Sequence, residues 1–207
     1  MPVAMALAGV AALLATSLIA ALLQRLRGAS RLVYLICSIV CVALLGLACS
    51  QLLAPAHPAP TMALPIGLPW IGAHFRIDAL SAFFLLVTNL GGAGASLFAI
   101  GYGKHETAPG RVLPFYPAFL AGMNLVVLAD DAFAFLLAWE FMSLSSWALV
   151  MSHHAGGGNR RAGYIYIVMA SFGTLTLLLA FGLLAGSGGG YASATSDRLQ
   201  RPCRASP

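Results

Sequence analysis

The sequence predicts an all-α membrane protein with about six transmembrane helices, and three observations lead there. Of 207 residues, 60% are hydrophobic and 8% charged, with a mean hydropathy of +0.89, far outside the composition of soluble domains. Six apolar stretches each approach the roughly 20 residues that a helix needs to cross hydrocarbon. These stretches are continuous in Leu and Ala rather than alternating with period two, which excludes the strands of a closed barrel, the other spanning solution.

The stretches run 3–23, 32–53, 77–101, 113–129, 132–151 and 164–186. No polar stretch is long enough to form a second, soluble core, so residues 1–190 read as one transmembrane helical domain. The net charge of +5 comes from basic residues lying between the apolar runs. That placement points to membrane orientation rather than to nucleic acid.

The first stretch is not a secretory signal: it lacks a basic leader, and Arg25, Arg27 and Arg31 follow it. The loops after stretches one, three and five hold Arg25, Arg27, Arg31, Lys104, Arg111, Arg160 and Arg161, whereas those after two and four hold Arg76 alone. Basic loops stay inside, so the N-terminus is expected outside. Six spans then bring the C-terminus outside as well, where Arg198, Arg201 and Arg204 violate the same rule.

In the second stretch Cys37, Cys41 and Cys49 read as small buried hydrophobes, since no CxxC or iron–sulfur spacing exists. The following loop, 54–76, carries Pro55, Pro58, Pro60, Pro65 and Pro69, which rule out continuous helix. Alternating apolar residues around Met62 to Ile71 suit a short hairpin on the outer surface, and Trp70 suits an interfacial anchor.

At the start of the third stretch Asp78 reads as a helix cap or as an entrance carboxylate for cations. Farther along, Asn89, Gly91, Gly92, Gly94 and Ser96 make a small-residue face for helix packing. Between stretches four and five, Asp130 and Asp131 mark a tight turn that caps helix five; too few oxygen ligands accompany them for a metal site.

Glu140, in the run FAFLLAWEFMSLSSWALV, is the residue that most demands a function. A carboxylic acid near the bilayer centre costs about 2.5–3.5 kcal/mol on insertion scales, so it needs a partner, water or a role in moving charge. Leu136, Leu137, Ser143, Leu144 and Trp147 share its helix face at the three, four and seven residue offsets, with Ser143 as the polar neighbour. Asn124, Tyr164, Ser171 and Thr174 are further polar groups that can line a hydrated path to it. His153 and His154 close helix five at the inner surface; neighbours on a helix point about 100° apart, so they suit an interfacial place or a proton relay rather than joint chelation. No intramembrane Lys or Arg accompanies Glu140. A phosphate loop, a dinucleotide fingerprint and HExxH are all absent, so no cofactor, metal or redox site is expected within the chain.

The stretch FRIDALSAFFLLVTNL followed by FAFLLAWEFMSLSSWALV resembles the antiporter-like membrane subunits of respiratory complex I, of Mrp sodium/proton antiporters and of membrane-bound hydrogenases. Within that group it looks most like the large membrane subunit of hydrogenase-4 and formate hydrogenlyase. The resemblance rests on Trp139, Glu140, Met142, Ser143, Leu144 and Ser146, with weaker support from Arg76 to Phe84, and covers residues 1–190. It implies the N-terminal portion of the antiporter-like fold, in which helices four to eight and nine to thirteen are inverted repeats, each with a broken helix.

The resemblance further implies that Glu140 is the helix-five glutamate that pairs with a lysine on helix seven. Proton transfer would be coupled to redox chemistry in partner subunits, and the chain would be at most a membrane subunit of an oxidoreductase complex, a hydrogenase or an NADH:quinone oxidoreductase. Expected partners are other membrane and iron–sulfur subunits, the lipid bilayer and protons or sodium, at the bacterial cell inner membrane. The lysine has no counterpart, because the apolar stretches stop after the sixth. From Tyr191 the composition shifts to Arg, Ser, Ala and Pro, which reads as a disordered tail, 191–207, and as a truncated product ending in a shifted reading frame. A truncated chain is expected to be inactive alone. Two other readings remain at this point: a non-catalytic membrane scaffold, and a small stand-alone ion transporter.

Overall fold

A computed structural model describes residues 2–23, 28–54, 59–65, 72–102, 112–153 and 157–185. Six helices and one two-stranded hairpin account for nearly all of them: α1 (Pro2–Leu23), α2 (Ala29–Leu53), β1 (Thr61–Leu64), β2 (Ala73–Arg76), α3 (Ala79–Tyr102), α4 (Phe115–Leu128), α5 (Ala132–Val150) and α6 (Gly157–Ala185). The expected tail, 191–207, and His154, Trp70 and Ile71 lie outside the described residues.

Five of these helices are long and apolar enough to cross a membrane; α4 is not. Its 14 residues rise by roughly 21 Å, short of a hydrocarbon core of roughly 30 Å. The expected stretch 113–129 thus holds the shortest of the six helices, within two residues of its expected bounds. Both ends are stopped by backbone chemistry: a turn at Val112–Pro114 precedes the helix, and Ala129 leaves it to bridge Phe75 of the hairpin. Two starts also move. α2 begins at Ala29 and α6 at Gly157, so Arg31, Arg160 and Arg161 sit within the first five residues of helices rather than in loops. Helix α5 ends at Val150, and His153 belongs to the 3-10 turn Met151–His153 that follows.

The hairpin forms, with its second strand after rather than within the expected Met62–Ile71 stretch. Thr61 pairs with Arg76, Met62 with Phe75, Ala63 with His74 and Leu64 with Ala73. In β2 the burial alternates, Ala73 and Phe75 inward and His74 and Arg76 outward, the period of a half-buried strand. Phe75, 6% exposed, supplies the inward anchor.

Small residues let the helices close. A Cβ at Gly92 of α3 would stand 2.9 Å from Cys41 Sγ of α2 and 3.1 Å from Leu120 Cδ2 of α4, so glycine here lets the three helices close without moving those side chains. Gly9 plays the same part for α1 against Leu44 of α2. Cys37 and Cys41 are fully buried and not joined in a disulfide. The antiparallel α4 and α5 meet where Gly122 lies against the Met142 backbone. The hairpin, the end of α4 and the start of α5 gather at one end of the bundle; the starts of α2, α4 and α6 gather at the other.

Candidate functional site

Glu140 stands ninth of the 19 residues of α5, near mid-length as expected. Its direction follows from its neighbours. Met142 packs on Gly122 of α4, and a residue two positions earlier on an α-helix points about 200° away. Ala134, Leu137, Ala138 and Phe141 line an apolar cavity of about 480 Å³ shared with α1, α4 and the hairpin. Phe135 stacks on Trp139 and meets Phe181 of α6 edge-on, with centroids 5.8 Å apart. Glu140 thus faces away from α4, beside the α6 contact, on a side that these elements leave partly open. Its neighbours one turn away, Leu137 and Leu144, are 53% and 50% exposed, and Glu140 itself is half-buried. Among the described residues it makes no hydrogen bond and no ion pair.

The accessory polar groups do not converge on it. Asn124, expected on the path to Glu140, is turned to the opposite side of α4, where its Oδ1 accepts from Asn89 Nδ2 of α3 at 2.7 Å. Thr174 Oγ1 donates to the Ala170 carbonyl of its own helix, and Ser171 and Tyr164 lie on exposed parts of α6. Ser143 is buried, 4% exposed. Trp139 Nε1, next in sequence to Glu140, is buried without an acceptor among the described residues.

The α3–α4 interface carries polar contacts through Asn89 and Ser96, which the sequence suits to helix packing. Asn89 and Asn124 are both 0% exposed. Besides their mutual bond, Asn89 Nδ2 donates to the Leu85 carbonyl and Asn124 Nδ2 to the Leu120 carbonyl, each at 2.8 Å. Two turns along, Ser96 Oγ and Tyr116 Oη share a hydrogen bond of 2.8 Å, and Tyr116 also donates to the Gly92 carbonyl. A lone Asn in each of two apolar stretches was the available signal. Nothing in the sequence says which polar group another helix will offer.

At the hairpin end, charge organises the helix starts. Asp78 Oδ1 accepts from the Ser81 N–H at 2.8 Å, the geometry of an N-cap on α3. Burial pushes its carboxyl up, but the Ser81 bonds and the Arg76 guanidinium outweigh this and hold it below the ordinary value. Asp131 is the N-cap of α5: Oδ1 accepts from the Ala134 N–H at 2.7 Å and Oδ2 from the His74 N–H at 2.6 Å. His74 Nδ1 stands 3.5 Å from the same carboxylate. Arg76 joins Asp130 at 3.0 Å and Asp78 at 3.4 Å. Despite Arg76, Asp130 is raised above the usual carboxylate range, first by burial and then by the neighbouring acids. This network ties β2 to the α4–α5 turn and to the start of α3. Among the described residues no three His, Cys, Asp or Glu side chains gather as a metal site would require.

No protein-family model matches the chain. It is 34% identical over 116 residues to hydrogenase-4 component B of Escherichia coli, an alignment covering 55% of this chain and 17% of that protein. The fold is that of antiporter-like membrane subunits. A chain of the Mrp complex from Dietzia sp. superposes with a TM-score of 0.73 at 24% identity, covering 90% of this chain and 20% of that one. A chain of the archaeal membrane-bound sulfane sulfur reductase, a respiratory membrane complex, does so with a TM-score of 0.71 at 22% identity, covering 91% and 29%. The chain is similar to these subunits in sequence and fold, and spans less than a fifth of the length of the curated relatives it matches.

Proposed function

We propose that this chain is the N-terminal part of a proton-translocating, antiporter-like membrane subunit, with Glu140 as its proton-carrying residue. One observation carries the reading: a carboxylic acid at mid-length of a membrane-spanning helix, half-buried, turned from α4 and bonded to nothing among the described residues. Such a group is too costly in hydrocarbon to persist without a role in carrying charge or a partner that neutralises it. No Lys or Arg lies in the interior of the described helices. A partner cation from further polypeptide would have the open side of α5 beside α6 as its docking place. The great length of the relatives supports this, and so does the family resemblance, which implies a lysine for the role.

The setting is a multisubunit respiratory or hydrogenase complex of the bacterial inner membrane, with redox chemistry in iron–sulfur partner subunits and none in this chain. The hairpin end would lie outside, because the cations Arg31, Arg160 and Arg161 collect at the other end. The N-terminus, on the hairpin side, would then be outside too. Alone, the chain would be inactive.

Glu140→Gln in the assembled complex tests the reading. Proton pumping falls to background while assembly and electron transfer persist, because Gln keeps the size and loses the ionisable proton. Pumping that survives the substitution would leave this chain a membrane scaffold.

A further inference from the structure

Donor and acceptor counting at the α3–α4 interface leads beyond this reading. A carboxamide offers two N–H donors and one oxygen with two lone pairs. Asn89 spends both donors, on Leu85 O and on Asn124 Oδ1. This fixes the orientation of its amide: the flipped rotamer would set its oxygen against two other oxygens. Asn89 Oδ1 is consequently buried with no donor among the described residues. Asn124 spends one N–H on Leu120 O and, among the described residues, keeps a second. The pair is thus left with one acceptor and one donor inside an apolar interface, where buried polar groups are paired by protein or by ordered water.

We infer that Asn89 and Asn124 form an internal water-binding site, the water donating to Asn89 Oδ1 and accepting from the free N–H of Asn124. A molecule that both donates and accepts is what the leftover groups require, and water is the smallest such ligand in a membrane. Its level matters. Gly122 against Met142 sets the antiparallel register of α4 and α5, which places residue 124 level with residue 140. The site therefore holds water at the depth of Glu140, separated from it by the width of α4 and α5. The inference does not depend on Glu140 carrying protons.

The chain holds three asparagines, Asn89, Asn124 and Asn159, so selective ¹⁵N-asparagine labelling of the full chain in lipid bilayers gives a resolvable spectrum. In water-edited solid-state NMR, the carboxamide signals of Asn89 and Asn124 should receive polarisation from water several-fold faster than the backbone amides of Leu85 and Ala121, labelled in a second sample. Asn89→Leu should abolish the fast transfer at Asn124, and Glu140→Gln should leave it unchanged. Carboxamide transfer no faster than that of the surrounding backbone in the wild-type chain overturns the site, whether or not the Asn89→Leu chain folds. Fast transfer that survives in a folded Asn89→Leu chain overturns it too.

Discussion

Gly122 of α4 and Met142 of α5 touch through backbone: a Cβ at position 122 would stand 2.9 Å from Met142 Cα. This one contact turns Glu140 outward and Asn124 inward, because it sets which face of each helix meets the other. It also makes a direct prediction. Gly122→Leu inserts a side chain where the opposing atoms belong to the main chain and cannot rotate aside, so destabilisation of about 1–3 kcal/mol is expected. Thermal unfolding of the purified chain in detergent reads it. An unchanged midpoint would mean that α4 and α5 are not in this register.

The asparagine pair predicts non-additivity. Asn124→Leu leaves Asn89 Nδ2 with one buried hydrogen unpaired, a loss of about 1–3 kcal/mol. The double variant, with Asn89→Leu as well, removes both partners together. Its cost should therefore fall below the sum of the two singles by about 0.5–2 kcal/mol, the range for coupled neighbours and for hydrogen bonds between membrane helices. Strict additivity in a double-mutant cycle would deny the bond.

Asp131 joins two elements through one carboxylate, receiving Ala134 N–H and His74 N–H. Asp131→Ala should cost about 1–2 kcal/mol as a lost N-cap and also release β2. Hydrogen exchange at the His74 and Ala134 amides should then accelerate together, while amides in the middle of α2 stay protected. Acceleration at Ala134 alone would show that the hairpin is held by other contacts.

Asp78 carries a pH dependence with a definite sign. Its carboxyl is held below the ordinary value, so the folded state binds its proton more weakly than the unfolded chain does. The stability it adds is present above the ordinary aspartate pKa of about 3.9 and is lost as pH falls through the lower folded value. Asp78→Asn retains an acceptor for Ser81 N–H and should remove this site's share of the acid dependence while costing under about 1 kcal/mol at neutral pH. Asp78→Ala should cost about 0.5–2 kcal/mol there. Acid titrations of unfolding for the three chains separate these cases.

Much of the architecture was legible in advance. The helices, the cap at Asp131 and the mid-helix position of Glu140 follow from apolar run length, from a carboxylate before an apolar run and from simple counting. The end of α4 was legible to within a residue, but not what receives it: Ala129 bridges to Phe75, 54 residues upstream in sequence. Nor does the sequence pair Asn124 with Asn89: periodicity says which residues share a face and not which helix that face will meet.

What the sequence determined by itself, then, is that this chain lies in a bilayer as apolar helices, with one acid embedded among them at position 140. Partition into hydrocarbon depends on local composition, and local composition is written residue by residue. What only the tertiary structure decided is the company each polar group keeps: Asn89 with Asn124, Arg76 with Asp130, His74 with Asp131, and Glu140 facing an open side. Those pairings depend on which small residues let backbones close, at Gly92 and Gly122, and such contacts join residues far apart along the chain.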